Sequence, residues 1–117
     1  MNSNQIENMF VGRNYVHGQF TKRSPGSDVF HKINPADEKS LGEFPQTHQK
    51  EIDLAYASAR KTFKSWRKVS RVARAEYFYK ISKIIETRLE EIATVISLET
   101  GKSFNESIAE VNEALHM

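Results

Sequence analysis

"SLETGKSFNES", Ser97–Ser107, is the stretch whose reading decides what surrounds it. Its Gly101-Lys102-Ser103 ends like a phosphate-binding loop, yet a glycine followed by a lysine also suits the end of a helix. A phosphate loop needs a second glycine five positions before its Gly-Lys-Ser and a strand leading in, so that successive backbone N–H groups wrap the phosphates. Ile96 stands at that position, within Leu89, Ile92, Val95 and Ile96, whose spacing is helical. A helix running into the loop aims its negative carbonyl end at the place an anion would occupy. The phosphate reading fails. Gly101 is expected to take the left-handed conformation that stops a helix, with Lys102 beside the negative end.

Working outward, helical spacing governs residues 47–117. Thr47 is the expected N-cap of a first helix, with Ile52, Ala55, Ala59, Phe63 and Trp66 repeating every three or four residues. Ser70 caps a second, whose stripe is Ala75, Phe78, Ile81, Ile85 and Leu89. Glu90-Glu91 opens the third, which Gly101 closes. Ser103 or Asn105 starts a fourth, with Ile108, Val111 and Leu115 on one side. No glycine, proline or polar stop precedes Met117, so this last helix reads as cut rather than finished.

Residues 1–46 differ in kind: they hold all three prolines and four of the five glycines. "MFVGRNYVHG" places apolar residues on both sides of Gly12-Arg13-Asn14, which suits a tight turn between two short strands. "DVFHKI" alternates as a half-buried strand, with Val29, His31 and Ile33 opposite to Phe30 and Lys32. Asn34-Pro35-Ala36-Asp37 stops it, because Asn bonds its own backbone and Pro fixes its torsion. "SLGEFP" returns as the second strand. An isolated pair of strands is marginal in water, so this hairpin needs something to pack on.

Composition narrows the function classes. Hydrophobic residues are 38% of the 117, lean for a self-sufficient core. Either the fold is thin and helical, or part of its apolar surface is completed by something else. The net charge of +2 is too small to argue for a nucleic-acid partner. Residues 60–74 carry seven Lys and Arg and no acid, and residues 86–113 carry seven glutamates against Arg88 and Lys102. Such blocks read as solvated faces. The absence of cysteine removes disulfides, thiolate metal sites and a cysteine nucleophile. "MNSNQIENMF" lacks the basic-then-apolar pattern of a signal peptide, and no apolar run reaches the roughly twenty residues that span a bilayer. The chain is expected to be soluble and cytoplasmic.

Chemistry-bearing motifs are few. His17, His31, His48 and His116 share no metal-ligand spacing. Glu90-Glu91 and Glu106, Glu110 and Glu113 could supply general acids, but their helical spacing suits an exposed face. Phe63 and Trp66 could stack a base beside the basic block, yet they fall on the core stripe of their helix. No serine stands in a nucleophile elbow and no GxGxxG follows a strand. By chemistry alone, nothing here catalyses.

In order and spacing the pieces resemble a known family. "FVGRNYV", "INPADEKSLGEFP", "ARKTFKSW", "SRVARAEYF" with Arg74, "LETGKS" and Glu110-Val111 follow one another as in the N-terminal quarter of an NAD(P)-dependent aldehyde dehydrogenase. The resemblance covers roughly residues 9–117. It implies an α/β fragment: two short N-terminal β-hairpins followed by four α-helices, part of the cofactor-binding domain. Residues 1–46 would be strands of the bridging and oligomerisation sheet, and 47–117 the incomplete helical part of the cofactor domain. Ser103 stands where the family usually has proline, which leaves the start of the fourth helix less fixed.

The implied activity is oxidation of an aldehyde to a carboxylic acid, with NAD or NADP taking the hydride in the full-length enzyme. In that family a cysteine attacks the aldehyde, a backbone N–H and an asparagine stabilise the oxyanion, and a glutamate activates water. Those groups and the cofactor loops lie beyond this chain, so no catalytic or cofactor-binding residue carries over. The chain alone is expected to bind no cofactor. Many members hold an alkali cation on a backbone carbonyl before Asn-Pro and an acid in the fourth helix, which correspond to Ile33 and Glu110. The implied partner is the remainder of the enzyme or a second copy, with neither nucleic acid nor membrane. The alternative is a stand-alone helical interaction module descended from such an enzyme.

Overall fold

A computed structural model describes residues 10–21 and 27–116. Two short antiparallel strand pairs precede four helices: β1 Tyr15–Val16, β2 Gln19–Phe20, β3 Val29–Ile33, β4 Ser40–Pro45, α1 Gln49–Trp66, α2 Arg71–Thr87, α3 Leu89–Thr100 and α4 Phe104–His116. The chain divides into two units. One takes the described residues as far as Lys32 together with Leu41–Val69; the other takes Ile33–Ser40 and Ser70 onward.

In the first unit the hairpin turn is displaced from Gly12-Arg13-Asn14. Tyr15 pairs with Phe20 and Val16 with Gln19, so the two-residue turn is His17-Gly18. Both have positive φ, 55° and 79°, which matches the right-handed twist of the flanking strands. Tyr15 and Phe20 meet edge to face at 5.0 Å across the pair. Gly12 serves close approach instead: its N–H donates to the Glu43 carbonyl, and a Cβ there would lie 2.6 Å from the Phe44 Cα. Gly42 does the same beneath the buried Phe10, whose carbonyl would stand 2.2 Å from an added Cβ.

Thr47 is not the cap of α1. Helix entry falls at His48, whose N–H donates to the Glu51 carboxylate at 3.3 Å. The Thr47 hydroxyl is already committed, accepting from the Asn14 side chain at 2.9 Å. The expected stripe on α1 does not form a core. No residue of α1 is buried, and Phe63 is 52% exposed with the Arg67 guanidinium over its ring.

The expected alternation of β3 is also lost. Val29 and Lys32 are half-buried, while Phe30, His31 and Ile33 are exposed. The sheet of β3 and β4 has two strands, too few to separate an inner from an outer face along β3, and Phe30 stacks on Phe44 across the pair at 5.5 Å. Asn34-Pro35-Ala36-Asp37 turns the chain as expected: Asn34 Oδ1 accepts from the Ala36 N–H at 3.0 Å, and the Asn34 N–H closes on the Lys39 carbonyl at 2.9 Å.

The second unit holds the tighter packing. Ser70 caps α2 through its hydroxyl, which accepts from the Ala73 N–H at 3.1 Å. Helix α2 ends before Leu89, which opens α3 instead of closing the α2 stripe. Arg88 sits between them and forks onto Glu91, which holds the Glu91 carboxyl below the usual carboxylate range. Helices α3 and α4 pack through small residues: Ala93 and Ser107 are fully buried and Val111 nearly so, with Ile108 and Leu115 half-buried beside them. Among the described residues the buried apolar side chains are Phe10, Ala93 and Val111, which is the lean core expected from composition.

Candidate functional site

The junction between α3 and α4 gathers most of the motifs singled out above. Gly101 has φ 76° and ψ 9°, a left-handed cap whose N–H bonds the Ser97 carbonyl at 2.9 Å. Two hydroxyls of the last α3 turn fasten the next residue. Ser97 Oγ donates to the Lys102 carbonyl at 2.7 Å, and the Lys102 N–H donates to Thr100 Oγ1 at 3.3 Å. A Cβ on Gly101 would lie 2.9 Å from Pro35 Cγ. The two segments "INPAD" and "LETGKS", distant in the chain, therefore meet with glycine providing the room.

Helix α4 begins in a reciprocal box. Ser103 Oγ accepts from the Glu106 N–H at 3.3 Å, while Glu106 Oε2 accepts from the Ser103 hydroxyl at 2.8 Å and its N–H at 3.1 Å. Those bonds from Ser103, the hydroxyl's first, hold the Glu106 carboxyl below the ordinary value. Serine in place of proline thus fixes the helix start by a different device from the one expected. The signal was present: Ser-x-x-Glu is the sequence mark of a capping box.

This geometry tests the phosphate reading atom by atom. Helix α3 points its carbonyl end at the junction, the first turn of α4 already receives a carboxylate, and Lys102 Nζ is engaged by Glu110. An anion would displace Glu106 and meet the wrong end of a helix dipole.

Ile33 and Glu110 belong to this same unit. Ile33 ends β3 with half its surface exposed, directly before the turn that reaches Gly101. Glu110 lies within α4, about half exposed, and pairs with Lys102. An alkali ion held there by the Ile33 carbonyl and Glu110 would share that carboxylate with the Lys102 ammonium. Among the described residues no three His, Cys, Asp or Glu side chains gather where a metal could bind. His17 contacts the Ser58 hydroxyl and His116 the Asn112 carbonyl, each on its own element or neighbour. No described helix is long and apolar enough to cross a membrane.

On α1 a shallow groove is lined by Ala57, Arg60, Lys61, Phe63, Lys64 and Arg67. Arg60 lies over Tyr56 and Arg67 over Phe63, at 5.7 and 5.9 Å, so the basic block is partly spent on its own aromatics. No hydroxyl, imidazole or carboxylate side chain lines it.

Comparisons with known proteins agree with the junction. The model of the aldehyde dehydrogenase family matches residues 20–117. An NADP-dependent glyceraldehyde-3-phosphate dehydrogenase of Streptococcus equinus is 35% identical over 99 residues, covering 85% of this chain and 20% of that protein. A malonate-semialdehyde dehydrogenase of Geobacillus kaustophilus is 33% identical over 103 residues, covering 88% and 21%. Among solved structures, lactaldehyde dehydrogenase from Escherichia coli superposes with a TM-score of 0.85 at 27% identity, covering 90% of this chain and 22% of that one. The chain thus spans about a fifth of the length of its relatives and matches only their N-terminal portion. With both of its signature segments brought together at Gly101, the chain belongs to the aldehyde dehydrogenase family.

Proposed function

We propose that these 117 residues are the N-terminal scaffold of an NAD(P)-dependent aldehyde dehydrogenase, which oxidises an aldehyde to a carboxylic acid only as part of a larger protein. The observation that carries this reading is the surface of α2. Arg71, Arg74, Glu76, Lys80, Ser82, Lys83, Glu86 and Thr87 are its polar residues, and large apolar side chains stand among them. Val72, Tyr77, Phe78, Tyr79, Ile81 and Ile84 are all about half exposed or more. So many large apolar side chains exposed on one helix mark a surface that another body covers. That body is the remainder of the enzyme, with a second copy as a further partner. NAD or NADP would bind there, and the helices described here would back the cofactor domain. A thioester intermediate needs a thiolate, and the chain contains no cysteine, so the nucleophile belongs to that remainder as well.

The test is to read the encoding DNA past the codon for Met117. A frame that continues into a glycine-rich strand–helix turn and later a cysteine supports the reading. A stop codon there overturns it and leaves the helical interaction module. Independently, aldehyde-dependent NAD(P)H formation by the purified 117-residue chain would contradict the scaffold role.

A further inference from the structure

Two exposed helix lines carry opposite charge at the same spacing. On α1, Arg60, Lys64 and Arg67 stand at i, i+4 and i+7, all exposed, with no acid from residue 54 to residue 75. On α4, Glu106, Glu110 and Glu113 stand at i, i+4 and i+7, all exposed, on the side of the helix away from the buried Val111. We propose that the basic line of α1 docks on the acidic line of α4 of a second copy of this chain, the two helices parallel and in register. The proposal rests on the reading above, in which a second copy is a partner of the scaffold, and names the surface by which that copy is recognised.

Three observations support this. First, Arg60 lies over Tyr56 and Arg67 over Phe63. Stacking orders a guanidinium through its face and leaves the N–H donors at its edge, where a carboxylate is held by two parallel bonds. The two forks are seven residues apart, about 10 Å along a helix, and the same step separates Glu106 from Glu113. Second, the acids keep acceptors for a partner. Glu106 takes Ser103 on Oε2 and Glu110 takes Lys102 on Oε1, so each has a second oxygen. Three carboxylates against one ammonium leave the line negative. Third, apolar surface lies along both lines. Tyr56 and Phe63 are 64% and 52% exposed, and the small, exposed Ala109 and Ala114 leave room for rings beside the glutamates. Surface ion pairs are individually weak, so the contact is reversible and yields to salt.

The test reads the mass of the chain in solution and no dehydrogenase activity, so a negative result leaves the scaffold reading untouched. In sedimentation equilibrium at about 0.02 M salt the mass is expected to rise with concentration toward twice that of one chain, and at about 0.5 M salt to return to one. The triple variant Arg60→Glu, Lys64→Glu, Arg67→Glu and the double variant Glu110→Lys, Glu113→Lys are each expected to weaken self-association about tenfold or more. Their equimolar mixture restores it, because each variant meets its opposite charge on the other. Should the α4 variant prove poorly folded by helical circular dichroism, Arg60→Gln, Lys64→Gln, Arg67→Gln on α1, where no residue is buried, carries the test. A wild-type chain that stays monomeric at the lower salt overturns the proposal. So does association that persists at the higher salt or in the charge-reversed variants, which assigns it to the apolar side chains of α2. Retention of a single-stranded oligonucleotide by a chain that is itself monomeric overturns it in favour of nucleic acid.

Discussion

Helices α2 and α4 lie in the same unit and treat their apolar residues in opposite ways. Helix α4 buries Val111 and Ser107 against α3, whose Ala93 is fully buried. Helix α2 buries nothing, and its Val72, Phe78 and Tyr79 are each about two-thirds exposed. Hydrophobic content does not separate them, since α2 carries more large apolar side chains. Partner shape does. Helices approach closely where small residues stand at the contact, as Ala93 and Ser107 do. The aromatics of α2 need a broad facing surface, and the second unit offers none among the described residues.

The largest way to break this contrast is to remove the close approach. Ala93→Leu puts bulk where no free surface exists and is expected to cost about 3 kcal/mol by overpacking, seen as a lower urea midpoint in helical circular dichroism. Gly101→Val follows, at about 2 kcal/mol, because a β-branched residue resists the left-handed region and its Cβ meets the Pro35 ring. Ser103→Ala removes one half of the capping box and should cost about 1 kcal/mol in the same assay.

Acid tests the other half of that box. Glu106 has a lowered pKa in the folded chain, so its contribution is present above the ordinary glutamate value of 4.5 and is lost as pH falls through the folded value. Glu106→Gln should therefore flatten the acid limb of a midpoint-against-pH curve. A variant that loses stability in parallel with the wild type would assign that limb to Asp37 and Glu91, which are lowered by Lys39 and Arg88. The smallest effect sharpens the contrast from the opposite side. Phe78→Ser on the exposed face of α2 should change the midpoint of this chain by no more than about 0.5 kcal/mol.

Much of the local structure was legible because it depends on neighbours in the chain. Gly101 as a left-handed stop, Ser70 as a cap and the Asn34-Pro35 turn each rest on a few adjacent residues. The first hairpin was misplaced by the pull of Gly12. That glycine answers to Phe44, far along the chain, and His17-Gly18 makes the turn. Thr47 was misread for a like reason, since its hydroxyl is claimed by Asn14. Periodicity found the apolar sides of α1 and α2 but could not say whether this chain supplies anything to cover them. At the junction, Gly-Lys was legible as a helix end. Its contact with Pro35 and the bond from Lys102 to Glu110 join segments that no local pattern relates.

The seat of Pro35 against Gly101 also sets an order of events during synthesis. The Asn-Pro turn leaves the ribosome well before the glycine that receives it. At about 5–20 residues per second, the turn waits roughly 3–13 s for its seat to emerge. For that interval the hairpin must persist on its own strands, so its protection should change between nascent chains in which Gly101 is still inside the exit tunnel and those in which it has cleared it.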